Sequence, residues 1–154
     1  MSFAEPQFEI EPLPRDIADC TALKLRRTSR RVTQMYDEAL SSHGLTVGQL
    51  GILAGLRRAQ GMGIATLAET VWMDASTLSR LIRPLAAAGF LTAENDTEDR
   101  RAKFLRLTDL GEVRVREAVV ALDSAQERLH GLLGKPRVAA LHCILDDAFI
   151  HLAE

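Results

Sequence analysis

The sequence predicts a mainly α-helical fold. Two helices come first, then a tightly joined helix pair, a two-stranded hairpin and two more helices, in the order α-α-α-α-β-β-α-α. Three observations carry this expectation. Hydrophobic residues make up 47% of the 154-residue chain but aromatics only 5%. The core is therefore aliphatic, which favours helix over sheet. Apolar residues recur at helical spacing along most of the chain. One segment, Phe90 to Leu107, instead reads as two short strands about a charged tip.

Each element has its own signal. Residues 1–14 carry Pro6, Pro12 and Pro14 and are expected to be extended. Asp16 is placed to cap a long first helix running to about Ser42. Its apolar stripe is Ala18, Ala22, Leu25, Val32, Met35, Tyr36, Ala39 and Leu40, with Lys24, Arg27, Arg30 and Arg31 off it. His43-Gly44 ends it. Thr46 and Gln49 have capping-box spacing at the start of the second helix. Leu50, Leu53, Ala54 and Leu56 form that helix's apolar side, and Arg57 and Arg58 suit its C-terminal end. QGMG, Gln60 to Gly63, is read as a break. IATLAETVW and MDASTLSRLIRPLAAAGF follow as a helix pair, with Asp74 capping the second and Gly89 ending it. FLTAE and AKFLRL are the strands. Thr108 caps a long helix to about Leu133. Gly134 stops it, and Pro136 sits in the first turn of a last helix reaching Leu152.

Bulk properties exclude several classes. Net charge is −2, which argues against indiscriminate polyanion binding, so any nucleic-acid contact rests on a few placed cations. No apolar run reaches the ~20 residues that span a bilayer. The N-terminus lacks the features of a secretory signal. The two cysteines, Cys20 and Cys143, lie far apart without CxxC spacing. These features point to a reducing cytoplasm and no membrane. GxSxG, HExxH and phosphate-cradling glycine loops are absent, and His43, His130, His142 and His151 form no triad pattern. The chain is not expected to be an enzyme.

A helix, a tight turn, a second helix and a hairpin make a winged helix-turn-helix. In the second helix Leu78, Leu81, Ile82 and Leu85 fall on one face at i, i+3, i+4, i+7. The other face carries Ser76, Arg80 and Arg83, flanked by Thr77 and Ser79, and no acid. Arginine can bond guanine bidentately, and hydroxyls reach phosphates or base edges. Pro84 either bends this helix or tightens it locally. In the hairpin tip NDTEDRRAK, an arginine held outward can enter a narrow minor groove. Asp99 or a neighbouring acid is placed to pair with one of Arg100 and Arg101 and orient the other. Taken alone, such a charged tip reads as a solvated turn. Beside the acid-free helix face it reads as a contact.

Residues 44–115 resemble the MarR (multiple antibiotic resistance regulator) family of bacterial transcription factors. The resemblance rests on GLTVGQLGIL, on LAETVWMDASTLSRLIRPLAAAGFL and, most specifically, on DTEDRRAKFLRLTDLG. LRRTSRRVTQMYDEAL also looks like the first helix of many members. The resemblance implies a homodimer of interleaved terminal helices on a near-palindromic operator of double-stranded DNA. It further implies a ligand-responsive repressor whose effector is a small molecule, an oxidant or a metal. Carried over residue by residue, Ser76, Thr77, Ser79, Arg80 and Arg83 contact groove and phosphates, Asp99 orients, and Arg100 or Arg101 is the wing arginine. The implied plan is an N-terminal arm and first dimerisation helix over 1–42, a DNA-binding domain over 45–107 and dimerisation helices over 108–154.

The last helix supports the dimer independently. Its apolar Leu141, Ile144, Leu145, Ala148, Phe149 and Leu152 need a partner surface. Cys20, one turn before Lys24, is a candidate redox sensor, because a nearby cation lowers a thiol pKa. The peroxide-sensing members pair a first-helix cysteine with tyrosines, and Tyr36 is the single tyrosine here. The other reading of Cys20 is a small interface residue. Cys143, Asp147 and His151 recur at i, i+4, i+8, and His142 and Asp146 form another i, i+4 pair. These are read as helix-surface pairs rather than a metal site, and no cofactor is expected. His43, Met62 and Trp72 are candidate lining groups for a ligand pocket, against a simpler reading as plain packing. The alternative function is a winged-helix protein-interaction module that does not read DNA.

Overall fold

The structure is a computed structural model that describes residue 17 and residues 19–95 and 103–152. Its elements are α1 (Thr21–Leu40), a 3-10 turn (Ser41–His43), α2 (Val47–Ala59), β1 (Met62–Gly63), α3 (Ile64–Thr70), α4 (Ala75–Ala87), β2 (Leu91–Asn95), β3 (Lys103–Leu107), α5 (Asp109–Leu133) and α6 (Lys135–Leu152). The chain divides into two compact units, residues 1–34 and 35–154. The N-terminal arm and the expected cap Asp16 lie outside the described residues, and α1 is described from Thr21. Within the first unit Leu23 and Leu25 are about half exposed, at 46% and 48%.

The second unit is built around an aliphatic core, as the composition requires. Leu50, Ile52, Leu53 and Leu56 of α2 meet Leu67 of α3 and Leu78, Ile82 and Leu85 of α4. Leu91 and Leu105 close the core from the sheet, and Val115 and Ala118 from α5. Leu53, Leu56, Leu67 and Leu78 have no exposed surface. Each such side chain contributes roughly 1.5–3 kcal/mol by burial.

Capping sets where the helices start. Thr46 Oγ1 accepts the Gln49 N–H at 3.3 Å, and the Thr46 N–H donates to Gln49 Oε1 at 3.0 Å, completing the expected capping box. Thr108 Oγ1 accepts the Gly111 N–H at 3.0 Å and donates to the Gly89 carbonyl at 2.6 Å. The α1 end also follows its sequence signal, because Gly44 adopts φ +67.

The sheet departs from expectation. QGMG is more than a break: Met62–Gly63 forms a third strand, pairing antiparallel with Leu105 and Phe104, in the order β1-β3-β2. Gln60 (φ 57) and Gly61 (φ 104) reverse the chain after α2. A Cβ on Gly61 would sit 2.7 Å from Phe104 Cε1 and 2.9 Å from the Leu105 oxygen. The glycine that reads as a breaker is thus what lets the backbone reach β3. The hairpin itself is in register from Leu91↔Leu107 to Asn95↔Lys103.

The apolar side of α6 is fully buried only at its start and partly covered beyond it. Val138 is buried, whereas Ile144 is 65% exposed, Phe149 49% and Leu152 82%.

Candidate nucleic-acid interface

Helix α4 is amphipathic in the sense expected. Leu78, Ile82 and Leu85 are buried, while Ser76, Ser79, Arg80 and Arg83 are exposed and Thr77 is half-buried. Burial of one side fixes which way the other points. The helix runs unbroken through Pro84 to Ala87. Pro84 has no N–H for the Arg80 carbonyl, and its own carbonyl accepts the Ala88 N–H at 2.9 Å.

The N-terminus of α4 is organised by one carboxylate. Asp74 Oδ1 accepts the N–H groups of Ser76 and Thr77 at 3.0 and 2.9 Å. It also accepts the Ser76 hydroxyl, and Oδ2 accepts the Thr77 hydroxyl at 2.7 Å. The Ser76 hydroxyl, then the Thr77 hydroxyl and the backbone donors, hold the Asp74 carboxyl well below the usual carboxylate range. Arg80 Nη2 donates to Thr77 Oγ1 at 3.4 Å, and Ser79 Oγ donates to the Ala75 carbonyl at 2.7 Å.

This network changes the chemistry offered to a ligand. The three hydroxyls already spend their protons within the helix, so they present lone pairs outward. A phosphate oxygen, itself an acceptor, gains a bond from them only after a hydroxyl turns away from Asp74 or Ala75. Among the described residues, the donors left to this face are the Arg83 guanidinium and the Arg80 N–H groups not given to Thr77. Sequence reasoning found Asp74 as a cap. It missed the carboxylate as the hub of the face, although the Asp-x-Ser-Thr spacing carried the signal.

At the wing, Lys103 Nζ donates to Asn95 Oδ1 at 2.7 Å, closing the described end of the hairpin. Arg106 lies 4.8 Å from the centre of the Phe104 ring and donates to the Gln60 carbonyl at 3.3 Å. Asp99, Arg100 and Arg101 lie outside the described residues. Trp72, read from sequence as packing or pocket lining, is exposed in the single chain. It is 69% exposed, sits at φ 53 in the turn before α4, and meets Phe149 edge to face.

The remaining candidates sit apart from α4. The Lys24 ammonium is held by Asp19 at 2.9 Å, so the cation expected to act on the Cys20 thiol has a carboxylate partner of its own. Cys20 is half-buried and Cys143 exposed, both as free thiols. His151 Nδ1 approaches the Asp147 carboxylate at 3.6 Å and the Asp147 carbonyl at 2.8 Å, a pairing along the helix. Among the described residues no three His, Cys, Asp or Glu side chains converge on a metal position. Nor is any described helix long and apolar enough to cross a membrane. Tyr36 donates to Gln126 Oε1, and burial raises its phenol pKa.

A buried three-helix core, an outward helix face of guanidiniums and hydroxyls, and a strand-paired wing define a winged helix-turn-helix protein. Comparison with known proteins agrees. The MarR family model matches residues 45–103. The HTH-type transcriptional regulator SarZ of Staphylococcus haemolyticus (strain JCSC1435) is 27% identical over 84 residues, 54% of this chain and 57% of SarZ. That match spans little more than half of its relative. The transcriptional repressor CouR, solved bound to a 23-mer DNA duplex, shares the fold with a TM-score of 0.78 at 23% identity, over 90% of this chain and 99% of that one. The M. tuberculosis transcriptional regulator MOSR, solved in complex with DNA, gives 0.73 at 27% identity, over 87% and 98%. Residues 45–103 thus resemble the MarR family domain, and the fold is shared with these transcriptional regulators.

Proposed function

We propose that the protein is a homodimeric, sequence-specific DNA-binding repressor acting in the cytoplasm on a near-palindromic operator. The observation that carries this reading is α4 itself. Its exposed side offers Arg80 and Arg83, and the Asp74 carboxylate at its N-terminus is engaged by Ser76 and Thr77. Such a face suits a major groove, where Arg reads guanine and hydroxyl lone pairs accept from cytosine or adenine amino groups. Arg100 or Arg101, oriented by Asp99, would approach the flanking minor groove. CouR and MOSR, with the same fold, were each solved on DNA.

The partly covered side of α6 supports the dimer, since Ile144, Phe149 and Leu152 are poorly buried within one chain. On this reading residues 1–42 and 108–154 supply the dimer and 45–107 the DNA contact. Twofold symmetry then sets two α4 helices roughly 34 Å apart, one turn of DNA. A small-molecule effector completes the proposal. A groove of about 400 Å³ in the first unit, lined by Leu23, Lys24, Arg26, Arg27, Arg30 and Arg31, favours an organic anion.

The test is binding to a labelled duplex from the region upstream of the protein's own gene, repeated across salt concentrations. A regulator loses affinity steeply with salt as counterions are released. The net charge of −2 favours a second reading, an interaction module that leaves DNA alone. A folded dimer that fails to bind at low salt establishes that reading instead.

A further inference from the structure

Trp72 occupies a conformation that its side chain does not favour. At φ 53 it lies in the left-handed region, where a bulky residue is an outlier and glycine is usual. The residue is 69% exposed, so burial does not compensate for that backbone. Among the described residues its ring meets that of Phe149. Its centre lies 4.7 Å from that of Phe149 at an interplanar angle of 89°, an edge-to-face pair. Phe149 stands near the end of α6, far along the chain from the helix-turn-helix.

The turn carrying Trp72 leads directly into the cap of α4. The Trp72 N–H donates to the Glu69 carbonyl at 3.2 Å and the Met73 N–H to the Ala68 carbonyl at 3.0 Å. Asp74 follows at once, holding Ser76 and Thr77. A strained residue so close to a working helix end persists where its surroundings fix it. The bonds from the Trp72 and Met73 N–H groups cap the end of α3 and hold the left-handed backbone, while the Trp72 side chain is met by Phe149 of the helix proposed to form the dimer.

We infer that Phe149 is a positioning residue for DNA binding: through the Trp72 ring it sets the turn that aims α4, tying the recognition helix to the C-terminal helix. This rests on the regulator reading. The ring pair is also a route by which a change in the packing of α6 reaches Asp74, Ser76 and Thr77 without any effector touching α4.

The test is a double-mutant cycle on the full-length protein: Trp72→Ala, Phe149→Ala and the pair, titrated against a fluorescently labelled upstream duplex, with Arg80→Ala as control. Sedimentation at the assay concentration reports the dimer. Each single variant is expected to weaken binding by roughly 3- to 10-fold, and the pair no more than the weaker single, as for coupled residues. Phe149→Tyr, which keeps the ring, is expected to restore binding. If the two effects multiply, or both variants bind like wild type while Arg80→Ala is impaired, the inference falls and the regulator reading stands. If folded wild type binds no duplex, both fall. Should Phe149→Ala not fold, Phe149→Leu removes the ring at similar bulk and completes the same cycle.

Discussion

The carbonyl oxygen of Phe90 fills the space where Gly111 would carry a Cβ, 2.0 Å from that position. The same carbonyl accepts the Thr108 N–H at 3.1 Å, so neither it nor the first turn of α5 is free to withdraw. Gly111→Ala is therefore expected to destabilise the fold by about 3 kcal/mol, the upper end of overpacking costs. Urea unfolding against wild type checks this. A loss under ~0.5 kcal/mol, as at an ordinary surface site, would show that the two elements separate easily.

Asp74 predicts an acid response. Its folded carboxyl lies below the ordinary value of 3.8, so its contribution is complete above that pH and fades as pH falls below it toward the folded value. Asp74→Asn cannot accept from four donors and is expected to bind operator several-fold more weakly at pH 7. Thermal melts between pH 7 and pH 2.5 should show a shallower acid decline in the variant. Parallel curves would remove Asp74 from the account.

Arg80→Ala is expected to cost on the order of 1–3 kcal/mol of operator affinity and to relax preference at one base pair. Competition among duplexes substituted at single positions reads this out. A uniform loss across all duplexes would make Arg80 a phosphate contact instead.

Arg100→Ala and Arg101→Ala address the wing. The variant that removes the inserted arginine should lower affinity for duplexes with A·T-rich flanks more than for G·C-rich ones. It should also reduce the salt slope by roughly one unit if a phosphate contact goes with it. Equal affinity in both variants would leave the wing without a role in binding.

Ile144→Glu tests the dimer. At 65% exposure the side chain contributes little to the folded chain, so melting of the subunit should barely change. Sedimentation should nevertheless shift toward monomer. An unmoved dimer would place the interface elsewhere.

The legible parts of the sequence were those governed by local chemistry. Thr46, Asp74 and Thr108 each cap as their spacing implied, because a cap needs only a side-chain oxygen and a nearby N–H. The buried side of α4 followed from periodicity. β1 stayed hidden because two residues show no alternation, and their strand character comes wholly from β3. The left-handed turn at Trp72 was also hidden, because composition does not encode it. The donor state of Ser76, Thr77 and Ser79 was equally invisible, since which way a hydroxyl points depends on three-dimensional neighbours.

The third strand has a consequence for how such a regulator can be retuned. With Met62 and Gly63 clamped to β3 and Lys103 tied to Asn95, the base of the wing is set by bonds that do not involve its apex. Residues added or removed between Asn95 and Lys103 would alter reach while leaving α4 aimed as before. On the proposed reading, flank preference and core-site preference would then be separable traits.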